Sequence, residues 1–162
     1  MFAFLRALCF AVVMAGPAIA QQANLQFGGL RQDTSLPVEV TSDSLSVDQA
    51  SGAAVFTGNV LAKQGDMRLS AGTIRVEYTA DGKGIDSLIA SGGVTLVSPT
   101  DAAEAAEAVY TIASGTVVMR GNVLLTQGNA AISGQNLTVN LKNGTGTMTG
   151  QVKTVFRPGG AP

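Results

Sequence analysis

When residues 42–76 are written above residues 105–139, matching residues fall at a constant offset of 63. Gly52 lies over Gly115, Gly58-Asn59-Val60 over Gly121-Asn122-Val123, and Gln64-Gly65 over Gln127-Gly128. Within each half a shorter unit recurs, because Gly-x-Val stands at Gly58, Gly92, Gly121 and Gly150, with spacings of 34, 29 and 29. A second element keeps the same rhythm: Leu45-Ser46-Val47, Ile74-Arg75-Val76, Ala108-Val109-Tyr110 and Leu137-Thr138-Val139. One such unit cannot bury its apolar face alone, so repeated units must stack on one another. Four units in register imply one stacked domain over residues 37–156, not two domains.

The period inside these elements is two, the pattern of strands with one buried face. Val38 and Val40 alternate with Glu39 and Thr41, and Ile74, Val76 and Tyr78 alternate with Thr73, Arg75 and Glu77. Each unit carries two such elements of five to eight residues, parted by Gly, Asn or Asp, so the reading is all-β, with stacked antiparallel strands. Glycine in mid-strand usually marks a bulge, a corner or a close backbone approach. The four Gly-x-Val glycines therefore imply a sheet that bends at one place in every layer. The segment Asp101–Ala108 is rich in Ala and Glu and has the strongest helix propensity of the chain. The 63-residue offset lays Ala105–Tyr110 over Ser42–Val47, which favours a loop running into a strand, the alternative being a helical turn over Thr100–Ala103. Asp81-Gly82-Lys83-Gly84 reads as a turn.

Residues 1–20 contain one basic residue, Arg6, an apolar run from Ala7 to Ala15, a Gly16-Pro17 breaker and Ala18-Ile19-Ala20. This is the form of a cleavable secretory signal, and the run is too short to span a bilayer. The only cysteine, Cys9, lies inside it. Residues 21–36 have no sustained period and read as a flexible leader, and 157–162 as a flexible tail.

Chemistry is sparsely provided. The chain has no His, and export would remove its single Cys, so a His-based zinc site, a thiolate cluster and a Ser-His-Asp or Cys-His arrangement have no ligands or base to draw on. Asp43 with Asp48, and Glu104 with Glu107, are pairs by spacing, but they fall in polar alternation or loops, and no Walker, Rossmann or HExxH motif occurs. The reading is a non-enzyme without cofactor or metal. Without Arg6, nine basic residues face eleven acidic ones, which gives no basic footprint for nucleic acid. What remains is a binder, a conduit or a scaffold. If the layers splay, their inward residues form an apolar groove that gains about 0.8 kcal/mol per CH₂ of lipid buried. If they close, the chain is a structural β-stack of the cell envelope without lipid cargo. In either case the terminal strands, Val38–Thr41 and Val152–Arg157, carry few blocking charges and are open to pairing with further strands.

The run P-V-E-V-T-S-D-S-L-S-V-D (Pro37–Asp48), then A-V-F-T-G-N-V-L-A-K-Q-G (Ala54–Gly65) and V-M-R-G-N-V-L-L-T-Q-G (Val118–Gly128), resembles the OstA-like, LptA-type family of periplasmic lipopolysaccharide-transport proteins. The resemblance covers residues 37–156. Membrane-anchored LptC and the N-terminal domain of LptD share the fold, so an LptC-type component is the nearest alternative within the group. The resemblance implies a single open β-jellyroll in the periplasm that holds lipid A acyl chains of lipopolysaccharide. It also implies an LptC-like inner-membrane partner at the N-terminal edge, an LptD-like outer-membrane partner at the C-terminal edge, and head-to-tail self-association. By motif position, Val38 and Val40 would lie at the groove entrance, with Leu45, Val47, Phe56, Ile74, Val76, Tyr110, Ile112 and Met119 lining it.

Overall fold

The alternating segments form eleven strands in a computed structural model that describes residues 23–26 and 30–158. In chain order they are β1 (Ala23–Gln26), β2 (Glu39–Thr41), β3 (Ser44–Val47), β4 (Ala54–Gln64), β5 (Met67–Tyr78), β6 (Ile85–Val97), β7 (Asp101–Thr111), β8 (Thr116–Gln127), β9 (Ala130–Asn140), β10 (Thr145–Thr149) and β11 (Lys153–Phe156). All pairings are antiparallel, in the order β1-β10-β9-β8-β7-β6-β5-β4-β2, with β3 also on β4 and β11 also on β9. The outer neighbours are thus split. One half of β4 holds β3 and the other β2, and one half of β9 holds β10 and the other β11.

The split follows from a corner that crosses every layer. Pairing registers slip between Thr57 and Val60 on β4, Ser91 and Val94 on β6, and Arg120 and Val123 on β8. Gly58 and Asn59, Gly92 and Gly93, Gly121 and Asn122, and Gly150 and Gln151 are consecutive pairs with positive φ. These are the repeated glycines of the sequence, and each marks a corner. At Gly121, with φ of 86°, a Cβ would stand 2.8 Å from that of Ala106 on the neighbouring strand. The intervening strands turn the same corner differently. On β5 the buried residues run Met67, Leu69, Ala71 and then Ile74, Val76, so the alternation changes phase at Gly72. β7 and β9 change phase likewise, at Ala105–Glu107 and at Gln135.

The corner folds the sheet into two layers that pack face to face. Ile74, Leu88, Met119, Leu137 and Val139 from one layer and Leu69, Leu96, Ala103, Leu125 and Ile132 from the other are buried in one core cluster.

Two expectations are corrected. Asp101–Ala108 is strand throughout, neither loop nor helical turn, because Ala103 and Ala108 face the core and small Ala106 sits against the Gly121 corner. Residues 23–26 and 30–36 are not a structureless leader: they supply β1, the buried Leu30 and a segment hydrogen-bonded to both layers. The expected signal segment, residues 1–20, and the final residues 159–162 lie outside the described residues.

Candidate functional site

Successive registers place the inward residues in rows that run across the sheet from its N-terminal to its C-terminal strands. In the first layer one row passes through Leu45, Phe56, Ile74, Ala90, Ala108, Met119, Leu137 and Met148. A second passes from Val47 through Ala54, Val76, Leu88, Tyr110, Val117 and Val139 to Gly146. In the opposite layer Val40, Ala62, Leu69, Leu96, Ala103, Leu125 and Ile132 continue one another. The rows contain no charged side chain, so their apolar character is unbroken along the stack.

The two ends of these rows differ. At the β3 end no strand lies beyond them among the described residues, and Leu45 and Val47 are 55% and 61% exposed although they occupy inward register positions. At the β10 end Met148 is fully buried, and β1 continues the sheet beyond it.

Residues 30–36 bridge the two layers. Gln32 donates its backbone N–H to Leu141 O of one layer (2.8 Å) and its side-chain amide to Gln64 O of the other (2.7 Å). Gln64, itself buried, uses its side-chain amide to donate to Thr34 O (3.1 Å) and Leu36 O (2.8 Å). Its Oε1 accepts from the Tyr110 hydroxyl of the facing layer (2.7 Å). One glutamine thus ties together both layers and the crossing segment. Burial pushes the Tyr110 phenol up to about 12, so it stays a neutral donor.

The acidic pairs do not converge on chemistry. Asp43 accepts from Asn59 Nδ2 (2.9 Å) beside the Gly58 corner, and the Ala50 N–H donating to Asp48 (2.9 Å) holds that carboxyl below its usual range. Glu104 and Glu107 stand on the exposed face of β7. Among the described residues, no group of three or more His, Cys, Asp or Glu could hold a metal ion.

A family model described as LptA/(LptD N-terminal domain) LPS transport protein matches residues 39–145. The chain belongs to this family. An uncharacterized protein of Rhizobium meliloti (strain 1021) is 30% identical over 142 residues, which is 83% of this chain and 76% of that protein. The lipopolysaccharide export system protein LptA of Escherichia coli (strain K12) is 27% identical over 137 residues, 81% of this chain and 73% of its own. Among solved structures, LptH, the LptA-homologous periplasmic component of the lipopolysaccharide transport device of Pseudomonas aeruginosa, matches with a TM-score of 0.70. That match covers 78% of this chain and 99% of LptH at 17% identity, and it shows the shared β-jellyroll fold. At the level of the family, this LptA-like protein is a component of lipopolysaccharide transport.

In this family member the ten residues expected to line a groove fall into three settings. Ile74, Val76, Tyr110 and Met119 are buried between the layers. Val38, Val40, Phe56 and Ile112 are partly buried against that core, Ile112 in the turn just after β7. Leu45 and Val47 are at the exposed end. Sequence reasoning missed Gln64 and Leu30. The repeat pairs Gln64-Gly65 with Gln127-Gly128 and so flags the glutamine, but nothing in its spacing discloses that its partners are the 30–36 segment and Tyr110.

The Tyr110 setting has a consequence for stability. An unfolded tyrosine loses its proton near pH 10, whereas the folded one holds it to about 12. The neutral-phenol contribution is therefore complete below pH 10 and falls as pH rises toward 12, by roughly 2–3 kcal/mol in total. Denaturant melts in a Tyr78→Phe background should show this decline, and Tyr110→Phe should flatten it. An equal alkaline decline in Tyr110→Phe would assign it to other groups.

Proposed function

We propose that this chain binds lipopolysaccharide through its acyl chains, held along the inward rows, and carries it from the inner to the outer membrane as a segment of a periplasmic bridge. The observation that carries this reading is the uncovered end of the rows, where Leu45 and Val47 present inward-register apolar side chains to solvent. A scaffold with a dry core would be expected to cap such an end with polar residues. The two faces of the stack supply sites for different neighbours: an LptC-like partner on the β2–β3 edge, an LptD-like partner on the β10–β11 edge, and copies of the chain joined head to tail between them. Cargo enters by parting the layers at Phe56 and Val40 near the open end. Burial of each acyl CH₂ contributes about 0.8 kcal/mol, enough over several chains to hold a lipid without a polar anchor.

The experiment is photocrosslinking in cells from Phe56, with the outward Arg75 as control. Lipopolysaccharide adducts at Phe56 and none at Arg75 are expected. Folded protein that gives no adduct at Phe56 would instead identify a closed structural stack, a reading that the complete burial of Ile74 and Met119 favours.

A further inference from the structure

β1 occupies, within one chain, the place that β3 of a second copy would take. Neighbouring strands alternate in direction, so β4 and β10 run the same way, and β3 on β4 and β1 on β10 both run opposite to them. Both are four residues long. Their registers coincide as well. Leu45 begins the row that ends in Met148, and Met148 is paired with Ala23; Val47 begins the row that ends in Gly146, and Gly146 is paired with Leu25. Ala23-Asn24-Leu25 therefore stands where the Leu45-Ser46-Val47 of an added copy would continue the same rows. We infer that β1 is a self-cap that mimics the neighbour's β3 and withholds the β10 edge from head-to-tail assembly until it is displaced.

This inference rests on the head-to-tail part of the function proposed above and adds its regulation. The other half of the same face is uncapped: all four residues of β11 are exposed, with Phe156 at 75%. Its basic Lys153, and Arg157 just beyond, suit the acidic β2 of an incoming copy, which carries Glu39 and no basic residue. A second copy can thus first add β2 to β11, and then exchange its β3 for β1. Release of β1 leaves the rest of the N-terminal segment in place, because Gln32 and Gln64 tie residues 32–36 to both layers independently of β1. A cap that must open lowers the apparent affinity by the fraction of time it is open, so its removal should tighten association by about tenfold or more.

The test compares three forms of the mature chain by sedimentation velocity over a range of concentrations: wild type, a deletion of Ala23–Gln26, and the double variant Asn24→Cys with Thr147→Cys. Asn24 and Thr147 are register partners, and a disulfide between them fastens β1 to β10. The deletion should associate at least tenfold more tightly than wild type, and the oxidised double variant should stay monomeric and recover association on reduction. Association that is equal with the cap locked, free or deleted would overturn the self-cap. Phe56 crosslinking of lipopolysaccharide in the same variants tests the cargo reading separately. If no form associates while crosslinking persists, the self-cap fails together with head-to-tail assembly, but lipid carriage stands.

Discussion

Replacing Gly121 with valine should destabilise the fold by about 2–5 kcal/mol, as the sum of two separate penalties. The first is backbone strain. A φ of 86° is a region that glycine enters freely and a β-branched residue almost never does. The second is steric, because the new Cβ would meet the Cβ of Ala106 at 2.8 Å, a contact that neither strand can relieve without opening the corner. Gly93 separates the two. Its φ is 80°, but a Cβ at that position would have no neighbour within 4 Å, so Gly93→Ala carries only the strain, about 1–2 kcal/mol. In urea melts the loss of stability should be largest for Gly121→Val, smaller for Gly121→Ala and smallest for Gly93→Ala. Equal losses for Gly121→Ala and Gly93→Ala would show that the Ala106 contact is harmless and that the corner can give way.

This corner is also where reading the sequence succeeds and then stops. The glycines at 58, 92, 121 and 150 announce themselves by their spacing, and the bend they imply is the one that folds the sheet. The alternation of Ile74, Val76 and Tyr78 is a local signal, legible from a few residues. The change of phase on β5, β7 and β9 is not, since a three-residue step between buried positions breaks a period-two pattern. That break, added to strong helix propensity, is why Asp101–Ala108 does not read as a full strand, although tertiary pairing with β6 and β8 overrides both. For the candidate site, the pattern identifies which residues face inward, but exposure depends on what lies beyond the end of the sheet. Leu45 and Ile74 share a row and a residue class; what distinguishes them is that, among the described residues, no further strand lies outside β3. The N-terminal segment is least legible because its contacts are with residues as remote as Met148 in β10 and Gln64 in β4, and four residues of strand carry no period of their own.

Gln64→Leu is the other substitution expected to act strongly, with a loss of about 2–4 kcal/mol. Leucine has a similar volume, so no large cavity forms, and the effect is one of hydrogen bonding. The buried Tyr110 hydroxyl loses its acceptor, and Thr34 O and Leu36 O lose their common donor. An orphaned buried hydroxyl costs about 1–3 kcal/mol, whereas removing both partners can be nearly neutral. Tyr110→Phe alone leaves Gln64 Oε1 unpaired and should also destabilise. The double variant should then lose clearly less than the sum of the two single changes, by about 1–2 kcal/mol of coupling. Hydrogen exchange distinguishes the two roles of the glutamine. In Gln64→Leu the amide of Gln32, which donates to Leu141 O, should exchange faster because the crossing segment has lost two of its three bonds to β4 and keeps only that from the Gln32 side chain to the backbone carbonyl of residue 64. In Tyr110→Phe it should keep its protection, since the bonds from Gln64 to Thr34 and Leu36 remain. Additive losses in the double variant, or equal Gln32 exchange in both single variants, would mean that the Gln64 side chain does not couple the layers to the segment, and that buried Leu30 and the bonds of Gln32 anchor it instead.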